Sequence, residues 1–173
     1  HGPFQFFGTA AVYWLLWDGN ATARLLPALM GTVLVGLPLL LRGYLGRSGA
    51  LITSFLIAVS PTMLYFSRFA RNDVYMAVWT LALIAFMWRY IDTKRVRYLV
   101  LASVVLALSF ATKETSYILV AILGSYLFFQ STGDVLPWLV GRKSLQSFSP
   151  AGEFLVLMGV LTLPLGAAGI ALF

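Results

Sequence analysis

The sequence contains no cysteine and a single histidine, His1. The absence of cysteine excludes a disulfide framework and a thiolate metal site, and a lone histidine excludes a histidine-rich metal cluster. Charge is scarce as well: only 10% of the 173 residues are charged, against about 25% in soluble domains. What the chain has instead is apolar surface, since 60% of its residues are hydrophobic and its mean hydropathy is +0.88. This composition is typical of an integral membrane protein.

The apolar residues fall into several long runs, which predict an all-α, polytopic transmembrane protein. The first run, 4–17, has only 14 residues and is rich in aromatic side chains. It is shorter than the ~20 residues of a crossing, so we expect an interfacial or re-entrant helix, with a short crossing as the alternative. Further helices are predicted over 21–41, 50–66, 73–91, 98–111, 117–130 and 153–173. The expected fold is therefore about six crossings plus the N-terminal helix.

We expect one transmembrane domain in four parts. These are an outer-face interfacial segment at 1–20, a five-helix core at 21–130, a cytoplasmic loop at 131–152 and a further transmembrane helix at 153–173. The chain starts without methionine or a signal peptide and stops inside an apolar run, so we expect it to be an internal piece of a longer protein.

The net charge of +6 is explained by basic loops between helices and predicts no nucleic-acid partner. If each of the six predicted helices crosses once, the loops at 42–49, 89–97 and 131–152 share one side of the membrane. These loops carry eight of the 12 basic residues, so the positive-inside rule assigns them to the cytoplasm. The stretch 67–73 and the corner 112–116 then lie together on the outer face.

The stretch 67–73 places Arg68, Arg71 and Asp73 between two apolar runs. A charge in the hydrocarbon core costs about 2.5–3.5 kcal/mol on insertion scales, so such a cluster suggests the edge of a functional site. Guanidinium groups bind phosphate oxygens well. The structural alternatives are that Asp73 caps the following helix and that the arginines extend to lipid headgroups.

A second charged feature is the corner that holds Lys113 and Glu114. The helices on either side are short for a crossing, so we expect this corner below the outer membrane surface and near the stretch 67–73. Together these cations and carboxylates suit a membrane-bound phosphate ester, with the carboxylates available as bases or for a divalent ion. The alternative is a structural Lys113–Glu114 pair that bridges neighbouring helices.

Four short motifs occur in order within residues 1–117. They are HGPF at 1–4, ARLLPAL at 23–29, SP at 60–61 followed by SR at 67–68 and an aspartate at 73, and TKE at 112–114. In this order they resemble the membrane-embedded GT-C glycosyltransferases, in the branch similar to dolichyl-phosphate-mannose–protein mannosyltransferases and their prokaryotic surface-glycan homologues. The resemblance fades beyond residue 130.

The resemblance implies a membrane glycosyltransferase. Its expected reaction moves a sugar from a polyprenyl-phosphate-linked donor to a protein or lipid acceptor, on the outer face of a prokaryotic plasma membrane. The resemblance also implies a donor-binding role for five residues, which are His1, Arg68, Asp73, Lys113 and Glu114. The charge pattern adds Arg71 to this set.

The catalytic residue is not predicted within this chain. The aspartate that members of the family use lies in an outer loop upstream of the His-x-Pro element, so we expect it upstream of His1 and expect this piece alone to be inactive. Members differ in metal use, which leaves a divalent cation open. No metal ligand and no other cofactor is predicted.

Two non-catalytic hypotheses compete with the enzyme. A transporter or flippase-associated subunit would share a cationic cleft for lipid phosphate but would need no catalytic acid. A structural subunit of a larger membrane complex would pair its outer charges with one another and leave no cavity beside them. Membrane lipids are expected partners in each case, and other membrane subunits in the last.

Overall fold

The structure is a computed structural model that describes residues 2–69, 71–141 and 144–171. Every regular element among these residues is helical and none of them forms a strand, which confirms the all-α prediction. The chain divides into two compact units, His1–Ala85 with Leu108–Glu114, and Phe86–Ala107 with Thr115–Phe173.

The first unit consists of short helices and parts of two longer ones. Its complete helices are α1 (Phe4–Leu15), α2 (Asn20–Ala23), α3 (Leu25–Gly36), α4 (Arg42–Val59) and α5 (Pro61–Phe66), with a 3₁₀ turn at Leu37–Leu41. It also includes the start of α6 (Asp73–Thr93) and the end of α7 (Val96–Thr112). The chain breaks between α4 and α5 at 60–61. Ser60 is extended, and Pro61 opens α5 at a position where its missing N–H has no helical partner to lose.

The structure differs from the basic loop predicted at 42–49, because α4 already begins at Arg42. The helix is interrupted only at Gly46, whose φ of 72° and ψ of 171° suit glycine. In apolar surroundings a helix kinked at one glycine leaves fewer backbone groups without partners than an open loop would. The segment predicted as a basic loop is therefore a helix with a kink at Gly46.

The second unit contains the remaining parts of α6 and α7 and the C-terminal helices. These are α8 (Ser116–Gln130), α9 (Thr132–Leu139) and α10 (Pro150–Ala171), with a 3₁₀ turn at Leu145–Ser147. The structure thus differs from the polar loop predicted at 131–152, which holds α9 and the first turn of α10. The cytoplasmic position of this segment stays a prediction.

Polar side chains in this segment stabilise the start of α10. Asp134 is buried, and its Oδ2 accepts a hydrogen bond from the backbone N–H of Ser149 at 2.9 Å. Ser149 in turn precedes α10, and its Oγ accepts a hydrogen bond from the N–H of Gly152 at 3.3 Å. A serine cap, a proline at the first helical position and a nearby carboxylate all favour a helix start. The polar residues that suggested a loop therefore hold a helix end.

Within the described residues, two helical stretches are long and apolar enough to cross a membrane, Asn20–Val59 and Asp73–Thr93. The bent pair α8 and α9, which meet at 83°, would be a third if the two form one span. Helix α7 and the segment Pro150–Leu163 are apolar but shorter. These spans agree with an integral membrane protein, whereas the count of about six crossings is not confirmed.

Helix α1 has 12 residues and buries none of them. Several of its large aromatic side chains are exposed, such as Phe6 at 69%, Phe7 at 75% and Trp14 at 85%. A helix of this length is too short to cross, and exposed aromatic rings suit the boundary between lipid and water. The structure is therefore compatible with the predicted interfacial helix.

Candidate functional site

The charged stretch at 67–73 connects α5 to α6. Ser67 ends α5, and the backbone turns tightly, with Arg68 N–H bonded to the carbonyl of Tyr65 at 3.1 Å and Arg71 N–H to that of Phe69 at 2.8 Å. Such a turn places charged residues at a helix junction, where their backbone groups are satisfied locally.

Asp73 binds two cations at once. Its Oδ1 accepts a hydrogen bond from Lys113 Nζ at 2.8 Å, and its Oδ2 lies 3.2 Å from Arg71 Nε. The Arg71 guanidinium also lies over the ring of Phe66, 5.6 Å from its centre. We call Arg71, Asp73 and Lys113 the Asp73 cluster. It carries a net positive charge, because two cations share one carboxylate.

The position of Lys113 is determined by its neighbour Thr112. Thr112 is fully buried at the end of α7; its Oγ1 accepts a hydrogen bond from Trp79 Nε1 at 3.0 Å and donates one to the carbonyl of Leu108 at 2.7 Å. This links α7 to α6 inside the first unit. The end of α7 is therefore fixed where Lys113 can reach Asp73.

The N-terminal segment is attached to the same corner. The N–H of Gly2 donates a hydrogen bond to the carbonyl of Thr112 at 3.2 Å. A Cβ on Gly2 would lie only 2.2 Å from the carbonyl oxygen of Ala111, so this close approach requires glycine. Phe4 then packs edge-on against Tyr75 and Trp79, with ring centres 5.3 and 5.4 Å away.

His1, for which a donor-binding role was predicted, lies outside the described residues. Its chain neighbour Gly2 is bonded to the carbonyl of Thr112, the residue before Lys113. The role of His1 stays a prediction.

Arg68 is not part of the Asp73 cluster and forms no ion pair with any acid that the structure describes. It borders a cavity of about 320 Å³ between α3, α4 and α5. Apolar side chains such as Leu34 and Ile57 form most of its wall, with Ser67 and Thr32 as polar members. One charged group thus stands beside an apolar space.

Glu114 is exposed and makes no ion pair with a described residue. The alternative in which Lys113 and Glu114 form a structural pair is therefore not what the structure contains, because Lys113 binds Asp73 instead. The other alternative was that Asp73 only caps α6. It does not account for the ion pairs that Asp73 forms with Arg71 and Lys113.

Among the six predicted residues, the structure brings together Arg71, Asp73 and Lys113, while Arg68 lies apart at the cavity. Sequence reasoning gave no role to Trp79 and gave Thr112 no role beyond its motif. The two residues are 33 positions apart, so no local pattern could pair them. The position of Thr112 next to Lys113 was the only available signal.

No group of three or more histidine, aspartate or glutamate side chains that could hold a metal ion occurs in the part of the chain that the structure describes. In the Asp73 cluster both carboxylate oxygens already face cations.

Comparison with known proteins adds the family. Residues 1–152 match the family described as dolichyl-phosphate-mannose-protein mannosyltransferase. The chain belongs to this family. The match includes every residue of the Asp73 cluster, Arg68 and Glu114, and it extends past residue 130, where the resemblance seen in the sequence faded. Comparisons with curated proteins and with solved structures found no match.

Membership of the mannosyltransferase family confirms the resemblance inferred from the four motifs. It identifies the chain as a membrane protein of the glycosyltransferase type. The family assignment does not by itself give a role to any single residue, so the roles are argued from the geometry.

Proposed function

We propose that this chain forms part of a membrane glycosyltransferase that takes its sugar from a polyprenyl-phosphate-linked donor. The observation that carries the proposal is the cavity between α3, α4 and α5, which is mostly apolar and has Arg68 at its border. Its volume of about 320 Å³ falls in the range of about 300–1,000 Å³ for small-ligand pockets. A lipid whose apolar chain ends in a phosphate fits this site, because the chain suits the apolar wall and the phosphate suits the Arg68 guanidinium.

Arg68 is the proposed contact for the donor phosphate. A guanidinium can bind two phosphate oxygens in parallel, and the lack of an ion pair to a described acid leaves the Arg68 charge uncompensated there. The part of the isoprenoid chain nearest the phosphate would lie in the cavity.

The Asp73 cluster supports the same chemistry. Asp73 holds the side chains of Arg71 and Lys113 in fixed directions, so little reorganisation is needed when negative charge develops nearby. An acceptor hydroxyl gives up its proton to a base and attacks the sugar from the opposite side. The sugar–phosphate bond breaks, and the leaving polyprenyl phosphate gains one negative charge. Cations already in place stabilise that charge. Glu114, exposed beside Lys113, would contact the sugar or the acceptor.

The finer features of the prediction belong to this proposal. We propose about six crossings, a site on the extracytoplasmic face of a prokaryotic plasma membrane, and a protein or lipid acceptor. The distribution of basic residues supports the sidedness, because the segments 42–49, 89–97 and 131–152, which the six-crossing topology puts on one side, carry eight of the 12. We assign no catalytic base within the chain, and a divalent cation remains an option.

The test uses the full-length protein with the substitution Arg68→Ala. We expect at least a tenfold loss of affinity for a polyprenyl-phosphate-linked sugar, because a charge-assisted, bidentate contact is lost. The matched control is Arg47→Ala. It removes an exposed arginine of α4 that does not line the cavity, so this variant should bind the donor normally. Unchanged donor affinity and turnover in the Arg68 variant would contradict the assignment.

A further inference from the structure

The turn between α6 and α7, in the second unit, contains a structure that the proposed function does not use. Tyr98 accepts a hydrogen bond from Arg97 Nη2 at 2.9 Å and lies 3.5 Å from Arg89 Nη1. Both guanidinium groups also lie over its ring, at 6.0 Å for Arg89 and 4.8 Å for Arg97. One phenol therefore orients two cations.

Tyr98 can do this because its ring is fixed. It is only 9% exposed, and it stacks on Phe86 with ring centres 6.4 Å apart. The backbone at Lys94 is also unusual, since its φ of +50° is rare for a residue with a side chain. The turn thus presents its cations from a defined scaffold.

The charge of this turn is only partly compensated. Lys94, Arg95 and Arg97 are all exposed, and Asp92 is the single acid between positions 89 and 98. The phenol is neutral, so the Tyr98 contact orients the Arg97 guanidinium without cancelling its charge. A guanidinium has several N–H donors, which leaves Arg97 able to bind an anion while it holds Tyr98. This differs from the Asp73 cluster, where a carboxylate neutralises part of the charge.

An apolar strip begins at the same turn. Val96, Val100 and Val104 are 68%, 55% and 51% exposed, and their spacing of four residues puts them on one face of α7. The strip is roughly 12 Å long at the rise of an α-helix. We call these three residues the α7 strip. An anion-binding turn at the end of an apolar strip matches an amphiphilic molecule that has an anionic headgroup and an apolar chain.

We propose that this turn and the α7 strip bind an anionic phospholipid. Its phosphate would contact Arg97, with Lys94 and Arg95 beside it, and an acyl chain would lie along the α7 strip. Basic residues next to membrane helices attract anionic lipids, and here the charge and the apolar face are continuous. The site shares no residue with the cavity or the Asp73 cluster and does not depend on the transferase activity.

The experiment compares lipid retention by the full chain purified from mixed phosphatidylglycerol and phosphatidylcholine. Native mass spectrometry counts the lipids that stay bound. We expect the wild-type chain to retain phosphatidylglycerol preferentially, and Arg97→Gln to lower that preference about fivefold, because each basic residue near a headgroup is worth about that factor. Arg97→Lys, which keeps the charge but loses the planar fork, should fall between the two.

Tyr98→Phe tests the scaffold, because it keeps the ring and removes the oxygen that accepts from Arg97. We expect a two- to threefold loss of preference. Arg42→Gln removes an exposed arginine on the same predicted side of the membrane and is the control, with preference unchanged. If a variant folds poorly, thermal unfolding with added lipid decides instead: phosphatidylglycerol should stabilise wild type and the Arg42 variant more than the Arg97 variant.

Two further arms identify what occupies the α7 strip. A photo-crosslinker at Val100 should give an adduct of lipid mass, and the soluble glycerophosphoglycerol headgroup should compete poorly with the intact lipid. Equal retention of both lipids by wild type, equal effects of the Arg97 and Arg42 substitutions, full competition by the headgroup alone, or a crosslink to protein would each overturn the proposal.

Discussion

Asp73 has two cationic partners, and the two contacts are not equal. The Lys113 contact is shorter, 2.8 Å against 3.2 Å, and its side chain is less exposed, 36% against 60% for Arg71. Ion pairs weaken as solvent screens them, and exposed pairs contribute little. Lys113 should therefore be the stronger partner.

A double-mutant cycle measures this difference. We expect a coupling energy of about 1 kcal/mol between Asp73→Asn and Lys113→Gln, and well under half of that between Asp73→Asn and Arg71→Gln. Denaturant unfolding in mixed micelles gives the free energies. Added salt should weaken the Arg71 coupling more than the Lys113 coupling. Equal couplings would show that exposure does not rank these pairs.

The residues of this cluster were accessible to sequence reasoning, but their pairing was not. Only 10% of the residues are charged, so the positions of Arg71, Asp73 and Lys113 between apolar runs identify them as candidate site residues. Which acid binds Lys113 depends on side-chain directions at the end of α7. Glu114 is its neighbour in sequence, yet successive residues point away from each other on a helix turn, and Asp73 comes into reach instead.

At the scale of elements, α3 packs closely against the end of α5. A Cβ added to Gly31 would lie 2.7 Å from the Cβ of Ser67, well inside contact distance. Both residues line the cavity that Arg68 borders. Glycine at position 31 therefore sets how closely the stretch that carries Arg68 approaches α3.

Gly31→Ala should separate these elements and lower the free energy of unfolding by about 1–3 kcal/mol, as expected for overpacking. Gly36→Ala is the matched control on the same helix, because nothing lies within 4 Å of its added Cβ. It should be neutral or stabilise by up to ~1 kcal/mol through helix propensity. Thermal unfolding of both variants in one detergent makes the comparison. A Gly31 variant as stable as the Gly36 variant would contradict the close contact.

Sequence patterns predicted the existence of most helices but not their breaks. The single helix expected over 21–41 is divided into α2, α3 and a 3₁₀ turn, and Pro38 lies at the start of that turn. Membrane helices tolerate proline when neighbours satisfy the freed groups. Whether a given proline bends a helix or ends it depends on those neighbours, which the sequence does not specify.

For the whole molecule, composition was enough to indicate a membrane protein and the four motifs were enough to indicate the family. The number of membrane crossings was harder to predict from the sequence. Helix α7 has 17 residues, and a short apolar helix can cross, lie at the interface or re-enter. Length and hydropathy alone do not separate these cases.

The absence of cysteine between positions 1 and 173 makes sidedness measurable, since an introduced cysteine is the only thiol within this stretch. We expect Thr93→Cys, exposed after α6, to react with a membrane-impermeant maleimide only in permeabilised cells. Thr115→Cys, exposed at the corner before α8, should react in intact cells. Labelling of both from the same side would rule out the proposed topology, because α7 separates the two positions.

The bond between Gly2 and Thr112 joins residues 110 positions apart. On the ribosome the first partner is made long before the second, so this hydrogen bond cannot form until the end of α7 has been synthesised. All residues that line the cavity lie at or before position 68 in the sequence, so the cavity can form while the rest of the chain is still being synthesised. The corner that carries Lys113 is therefore among the last parts of its unit to assemble, and truncation before residue 112 would leave α1 with the packing of Phe4 on Tyr75 and Trp79 but without its hydrogen bond to this corner.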